Sequence, residues 1–588
     1  MQTDTDILAL TDLALIPPVL DTDPSPKYGY DQLDYGMTVG VERTRGGRLW
    51  ASWVGGGDNE NAFLVLAISD DDGATWSAPR LVIDPHDASL PMSCSVISGV
   101  PWLDPQGCLW LFFSQSVGYF DGRMGIWAAR CDQPDADSPT WTPAERIWHG
   151  FALNKPTVLS TGEWMLPAAL WPRELLGCGM VESAAGSPFL DAFHELDAYR
   201  LGNVLVSRDE GRTWERRGGT AFPCAVDFIE QMVVEKRDGS LWMIVRTLTE
   251  GMWQSVSRDG GVTWSTGEPW LPHVNSRHFI RRLSSGRLLL VKHGVPVNTR
   301  PSSRSHLAAY LSDDDGVTWQ GGLVLDEREG VSYPDGALSP DGTLYVTYDR
   351  NRDTDGEVLL ARFTEADVLA GRLVSPGSAL RLLVSRPNPA AVAVRHAERK
   401  KDILRRLIGD ADLRFIHIPA WRAWDGVGAI EMSKLNMNNG GALPALDRAL
   451  PPEIHPDATH HWKELTPAAD EPVGFVSFAP IAAPGEGQVG YARAYVRSLI
   501  EQPGVFLLGA DYWMQFRVNG KTLIDHAREI RPSWTPELHE FRADAVLRAG
   551  WNLLEVKVAS GQGGFAFACQ VAAAEGLRFC VDKAGNEA

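Results

Sequence analysis

From about residue 27 to residue 387 the chain alternates short apolar runs with Gly-centred polar turns. This pattern predicts short strands joined by tight turns rather than helices. Two motifs recur in phase. The first, S-x-D-x-G-x-T-W, occurs as Ser69-Asp-Asp-Asp-Gly-Ala-Thr-Trp76, Ser207-Arg-Asp-Glu-Gly-Arg-Thr-Trp214, Ser257-Arg-Asp-Gly-Gly-Val-Thr-Trp264 and Ser312-Asp-Asp-Asp-Gly-Val-Thr-Trp319. It reads as a hairpin tip. The Asp accepts backbone N–H bonds, the Gly supplies φ > 0, and the Trp packs under the loop. Start-to-start spacings are 138, 50 and 55 residues, and a worn copy, Asp137-Ser-Pro-Thr-Trp141, sits in the long gap. The second motif is a Gly turn opening an apolar run, at Gly47, Gly107, Gly162, Gly239, Gly286 and Gly342. Six such units, alternating with the hairpin tips, predict an all-β fold, a six-bladed β-propeller.

The remainder divides around this core. Residues 1–26 form an N-terminal segment and 27–387 the propeller. Residues 388–414 form a linker helix whose charge run, Arg395-His-Ala-Glu-Arg-Lys-Lys401, reads as a solvated face. Residues 415–588 return to strand pattern, with an Asn-Gly hairpin at Phe516-Arg-Val-Asn-Gly-Lys521 and a further turn and strand at Leu547–Lys557. In form they resemble a jelly-roll β-sandwich.

Composition narrows the function. With 55 Lys+Arg against 75 Asp+Glu, the 588-residue chain carries a net charge of −20, which argues against nucleic-acid binding. The start is acidic and polar, and no run of apolar residues is long enough to span a bilayer. The expectation is a cytoplasmic protein that does not engage a membrane. Seven scattered cysteines without a CxxC pair fit reduced thiols. No nucleotide-binding, metalloprotease or EF-hand motif is present, so no cofactor and no metal are implied.

The four hairpin tips are similar to the Asp boxes, or BNR repeats, of the sialidase superfamily, and Lys27–Leu383 resembles a sialidase propeller. The region from Phe415 resembles the jelly-roll, galactose-binding-like modules appended to glycosidases. The repeat Gly serves as a ruler for the propeller axis: Glu230 lies nine residues before Gly239, and Tyr333 nine before Gly342. Glu230 to Arg246 resembles the sialidase blade that supplies a Glu and an Arg. Ser332-Tyr-Pro-Asp335 resembles the segment carrying the nucleophile Tyr, and Arg304 resembles a substrate-binding Arg. The resemblance implies Tyr333 as nucleophile, Glu230 as its base, and Arg246 and Arg304 as ligands of an acidic group. It places the acid/base in a blade 1 loop, where Asp58 and Glu60 both qualify.

One element departs from the family. Where sialidases open blade 1 with an Arg, this chain has Met37. Arg277, at the same nine-residue offset before Gly286, and Arg281 are possible replacements. His278, His293, Lys155, Asp335 and Asp349 are further polar residues expected near the axis. A neutral Tyr suits a substrate whose anomeric carbon already carries a carboxylate, and arginine forks suit that carboxylate. These residues point to a sialidase-like, exo-acting glycoside hydrolase acting on an acidic sugar of an oligosaccharide or glycoconjugate. Two alternatives remain open: a uronate-directed polysaccharide lyase using His278, Tyr333 and Arg281, and a non-catalytic carbohydrate-binding propeller.

Overall fold

The structure, a computed structural model, describes residues 9–581 apart from 88, 91, 174–188, 190–191, 225, 227, 250, 409–412, 426–427, 430–460, 468–474, 483–486, 512, 527–539, 561–563 and 574–575. The chain divides into two compact units, Met1–Arg395 and His396–Ala588.

The first unit holds six four-stranded antiparallel sheets in chain order. Their innermost strands are Met37–Arg43, Cys94–Leu103, Thr157–Val158, Met232–Glu235, Phe279–Arg282 and Val331–Leu338. The strand of blade 1 packs against those of blades 2 and 6, so the ring closes between its first and last blades. This is the six-bladed propeller that the repeats predict. In every blade the turn from first to second strand falls on the ruler Gly, with φ between +80° and +100°. An L side chain rarely adopts that backbone.

The boxes connect third and fourth strands in blades 1, 3, 4 and 5. In the first, Asp71 accepts from Thr75 N at 2.8 Å and Thr75 Oγ1 at 2.6 Å. Ser69 Oγ donates to Asp71 at 2.8 Å and accepts Gly73 N at 2.9 Å. The Thr75 bonds hold the Asp71 carboxyl below its usual range. Blade 2 carries the worn copy at the same place, with Trp141 edge-on to Trp50 at 5.7 Å. Blade 6 replaces the box with helix α1 (Glu365–Ala370), whose N-terminus has a capping box between Thr364 and Asp367.

The two repeats alternate because they interlock across blades. The third residue after the ruler Gly packs beneath the box that follows. A Cβ on Gly211 would lie 2.8 Å from Trp110, and one on Gly316 2.5 Å from Trp242. A Cβ on Gly261 would meet Met165 at 2.9 Å, and Tyr345 donates to Asp72 at 2.6 Å to join blade 6 to blade 1. Boxes and ruler turns therefore share one face. The opposite face gathers the starts of the first strands and the ends of the second strands.

The last propeller strand, Ala379–Ser385, is followed by helix α2 (Pro389–Ile408), and strands resume at Ile416. The second unit is a pair of antiparallel sheets of five and eight strands. Between them lies a core that includes Trp421, Phe478, Phe506, Phe516 and Phe567. The predicted Asn-Gly hairpin joins Trp513–Val518 to Lys521–Asp525, with φ of +52° at Asn519 and +78° at Gly520. Among the described residues, no helix is long and apolar enough to cross a membrane.

Candidate functional site

Two side chains at first-strand starts meet on the axis in unusual backbone. Tyr333 has φ +56°, within a register shift between Ser332 and Asp335, and Glu230 has φ +25° after Ile229 at φ +60°. Non-glycine residues in this region store strain, and such strain clusters at functional sites. It turns both side chains toward each other. Tyr333 Oη donates a short hydrogen bond to Glu230 Oε1. Arg246, just past the second strand of blade 4, donates from Nη1 to Glu230 Oε1 at 2.9 Å and to Tyr333 Oη at 3.1 Å. All three are buried, at 7%, 3% and 4% exposure for Tyr333, Glu230 and Arg246. Glu230 Oε2 has no hydrogen-bond partner among the described residues. Burial and the Glu230 charge raise the Tyr333 phenol well above its ordinary pKa, while Arg246 and Arg352 pull it back. The pair is thus a neutral phenol beside a carboxylate, with two guanidinium groups ready to stabilise a phenolate.

Arg304 and Arg352 complete the cationic side. Arg304 donates from Nε and Nη2 to Asn275 O at 3.1 and 2.6 Å, and from Nη1 to Ser332 Oγ at 3.0 Å. Burial, then the charges of Arg246 and Arg352, lower it to about 10. Arg352 follows the second strand of blade 6, and its guanidinium lies 3.9 Å over the Tyr333 ring. It donates to Asp349 Oδ1 at 3.1 Å and to Ser332 Oγ at 2.8 Å, and pairs with Asp58 at 3.7 Å. Burial opposes its charge, yet Asp349, Tyr35, Tyr333 and Asp58 together hold it well above the ordinary value. Asp349 also accepts from Thr38 N at 3.2 Å, and burial raises it to about 6. Asp58 accepts from Tyr119 Oη at 2.7 Å.

The structure therefore gathers Tyr333, Glu230, Arg246, Arg304, Asp349 and Asp58 of the sequence-derived residues. Glu60 is exposed at its turn. Neither proposed replacement for the blade 1 arginine lies here. Arg277 is completely buried, and its guanidinium is spent on Asn154 Oδ1, Val39 O, Leu153 O and Asp335 Oδ1 at 2.8–3.0 Å. Asp335 also pairs with Lys155 at 3.3 Å and accepts from Val41 N at 3.0 Å. Lys155 reaches Glu42 at 3.0 Å and Gly336 O at 2.8 Å. These residues close the axis one layer below the site and do not face a ligand there. Arg281 lies nearer the ruler turns, lining a cavity of about 250 Å³ beyond that layer.

The histidines are also withdrawn. His278 is fully buried, neither ring nitrogen has a hydrogen-bond partner among the described residues, and burial lowers it to about 3. His293 is lowered by burial to about 3 and bonds Val331 O at 2.9 Å and His273 at 3.2 Å. It braces the strand bearing Tyr333.

Arg352 escaped the sequence reading because the ruler indexes strand starts, and Arg352 follows a strand, past Asn351 at φ +48°. The available signal was the absence of an Arg at Met37 together with an Arg three residues after Asp349. Asn275, Ser332 and Tyr119 carried no signal of their own.

Residues 47–346 match the family model of the BNR repeat-like domain. A search of curated proteins finds no match. Similar solved structures include a mutant of the NanB sialidase from Streptococcus pneumoniae, at 13% identity and TM-score 0.41, over 57% of this chain and 68% of that one. The intramolecular trans-sialidase from Ruminococcus gnavus, in complex with oseltamivir carboxylate, aligns at 14% identity and TM-score 0.42, over 59% and 97% of the two chains. The Trypanosoma rangeli sialidase, in complex with the inhibitor DANA, aligns at 12% and 0.40, over 93% and 91%. With more than half of its residues inside the matched segment, the chain belongs to the BNR repeat-like domain family.

Proposed function

We propose that this protein is an exo-acting, sialidase-like glycoside hydrolase that removes a terminal acidic sugar, a sialic acid in the first instance, from a glycan. The observation that carries this reading is the buried Tyr333–Glu230 hydrogen bond with Arg246 on both partners. Tyr333 Oη attacks the anomeric carbon as Glu230 takes the phenolic proton. Asp58, beside Tyr119 and Arg352, donates a proton to the departing glycosidic oxygen. Water then opens the tyrosyl–sugar bond with Asp58 as base, and the two displacements give net retention. Of the two blade 1 carboxylates, Asp58 is the one that contacts site residues. The burial of His278 and the distant placement of Arg281 weigh against the uronate lyase.

The test is fluorophore release from an aryl α-glycoside of N-acetylneuraminic acid by wild type and Tyr333→Phe. Turnover that disappears in the variant is the expected result. Equal turnover in both removes Tyr333 as nucleophile, and no turnover by wild type removes the sialoside reading.

A further inference from the structure

The innermost strands of the propeller are unequal. Those of blades 1, 2 and 6 run for seven, ten and eight residues. Thr157–Val158, Met232–Glu235 and Phe279–Arg282 of blades 3, 4 and 5 run for two, four and four. The short strands leave the axis open on their side, and a cavity of about 250 Å³ occupies the gap. Lys155 and Asp335 form part of its wall, so the saturated layer built on them and Arg277 lies between the cavity and Tyr333. The cavity therefore belongs to the face of the boxes and ruler turns.

The charged groups of its wall are answered, with one exception. Lys155 pairs with Glu42 at 3.0 Å and Asp335 at 3.3 Å. Arg282 donates to Asp315 Oδ1 at 2.7 Å and to Glu235 O at 3.0 Å. Glu235 accepts from Ser160 N at 2.7 Å and from Ser160 Oγ at 2.6 Å. Arg281 is half-buried, and its guanidinium makes no hydrogen bond or ion pair among the described residues. All of its N–H donors are unspent, in the planar fork that matches a carboxylate or phosphate. Backbone donors join it. Thr157 Oγ1 donates to Val233 O at 2.6 Å, and Arg282 to Glu235 O, so both residues turn their peptide groups away from their own sheet. In an antiparallel strand a residue's N–H points the same way as its C=O. The N–H groups of Val233 and Glu235 are therefore turned to the axis as well.

We propose that this cavity is a second binding site, separate from Tyr333, for a small organic oxyanion whose acidic group is held by Arg281. The ligand carries a carboxylate or a phosphate ester. The volume lies below the range of about 300–1,000 Å³ typical of drug-sized ligands, which limits the body of the molecule to monosaccharide size. The site does not depend on the glycosidase reading, because none of its wall is Tyr333, Glu230 or their arginines. An occupant touches blades 3, 4 and 5 together and spans the sector where the innermost strands are shortest.

The experiment uses the full-length chain and ligand-observed NMR titrations with three probes: benzoate, its neutral counterpart benzamide, and inorganic phosphate. Wild type is expected to bind benzoate or phosphate, and to bind benzamide at least about 10-fold more weakly than the better of the two. Whichever oxyanion binds more tightly assigns the acid. Arg281→Leu is expected to weaken that oxyanion about 10–100-fold, the weight of a hydrogen bond to a charged group, and to leave benzamide within about 2-fold. Arg281→Lys, which keeps the charge and loses the fork, is expected to fall between. Arg281 has no partner to lose among the described residues, so both variants are expected to melt within about 2 °C of wild type. Oxyanion binding that Arg281→Leu leaves unchanged belongs to the arginines beside Tyr333 and overturns the site. Benzamide bound as tightly as benzoate and phosphate overturns it, as does a wild type that binds neither oxyanion.

Discussion

Two layers of charged side chains occupy the propeller axis, built from the same residue types on the same inner strands. Tyr333 and Asp335 are two residues apart on one strand, and Glu230 and Arg277 hold the same offset from their ruler glycines. The lower layer is saturated. Arg277 has four acceptors, and Asp335 answers it together with Lys155 and Val41 N. The upper layer is not. Glu230 Oε2 has no partner among the described residues, and Tyr333 and Glu230 sit in strained backbone. Register marks the axis, and unspent hydrogen-bonding capacity separates a site from a plug.

The sharpest way to break this comparison is to exchange the effects of mutation between layers. In the upper layer, Tyr333→Phe is expected to abolish turnover, and Glu230→Gln to lower kcat about 10²–10⁴-fold. In the lower layer, Arg277→Met leaves Asp335 buried without its main partner. It is expected to cost about 3–5 kcal/mol of stability, measured by urea unfolding, while turnover per folded molecule stays near wild type. Arg277→Met that folds normally and loses activity would make the plug part of the site.

How much of this was legible in the sequence follows the same division. The blades were legible because each repeat carries its own physics: a glycine that must hold φ near +90°, and an Asp-Thr pair that closes its own loop. The Tyr333–Glu230 pair was legible because both share an offset from those glycines. The offset could not distinguish Arg277 from a clamp residue. What spends Arg277 is contributed by Val39, Leu153, Asn154 and Asp335, from three other blades. Arg352 was hidden for the opposite reason. It follows its strand, and its role arises from Tyr333 and Ser332 lying across the blade.

Asp349 sharpens the contrast through pH. Its ordinary carboxyl value of 3.8 is raised to about 6 in the folded protein, by burial against the opposing pull of Arg352. The folded state therefore binds this proton more tightly than the unfolded chain. The resulting stabilisation is complete below the unfolded value and is lost as pH rises through about 6. Urea unfolding of wild type and Asp349→Asn at pH 4.5 and pH 7 isolates the group. The wild-type advantage is expected to be larger at the lower pH, and a pH-independent difference would show that Arg352 keeps Asp349 ionised throughout.

The smallest effect is expected farthest from the axis, and there the two kinds of box contact can be compared. Asp71 is exposed, so when Asp71→Ala removes its bonds to Thr75 and Ser69, water replaces the lost carboxylate. The cost is expected not to exceed about 1 kcal/mol. Gly316 faces inward at φ +89°, and its Cβ would lie 2.5 Å from Trp242 of the preceding blade. Gly316→Ala is expected to cost more than Asp71→Ala, about 1–3 kcal/mol, because it adds backbone strain to a clash with a buried ring. Neither variant is expected to change turnover, since the boxes lie on the face opposite Tyr333. If Asp71→Ala proved the costlier of the two, the loop's own hydrogen bonds, and not the interlock between blades, would be what the repeated sequence preserves.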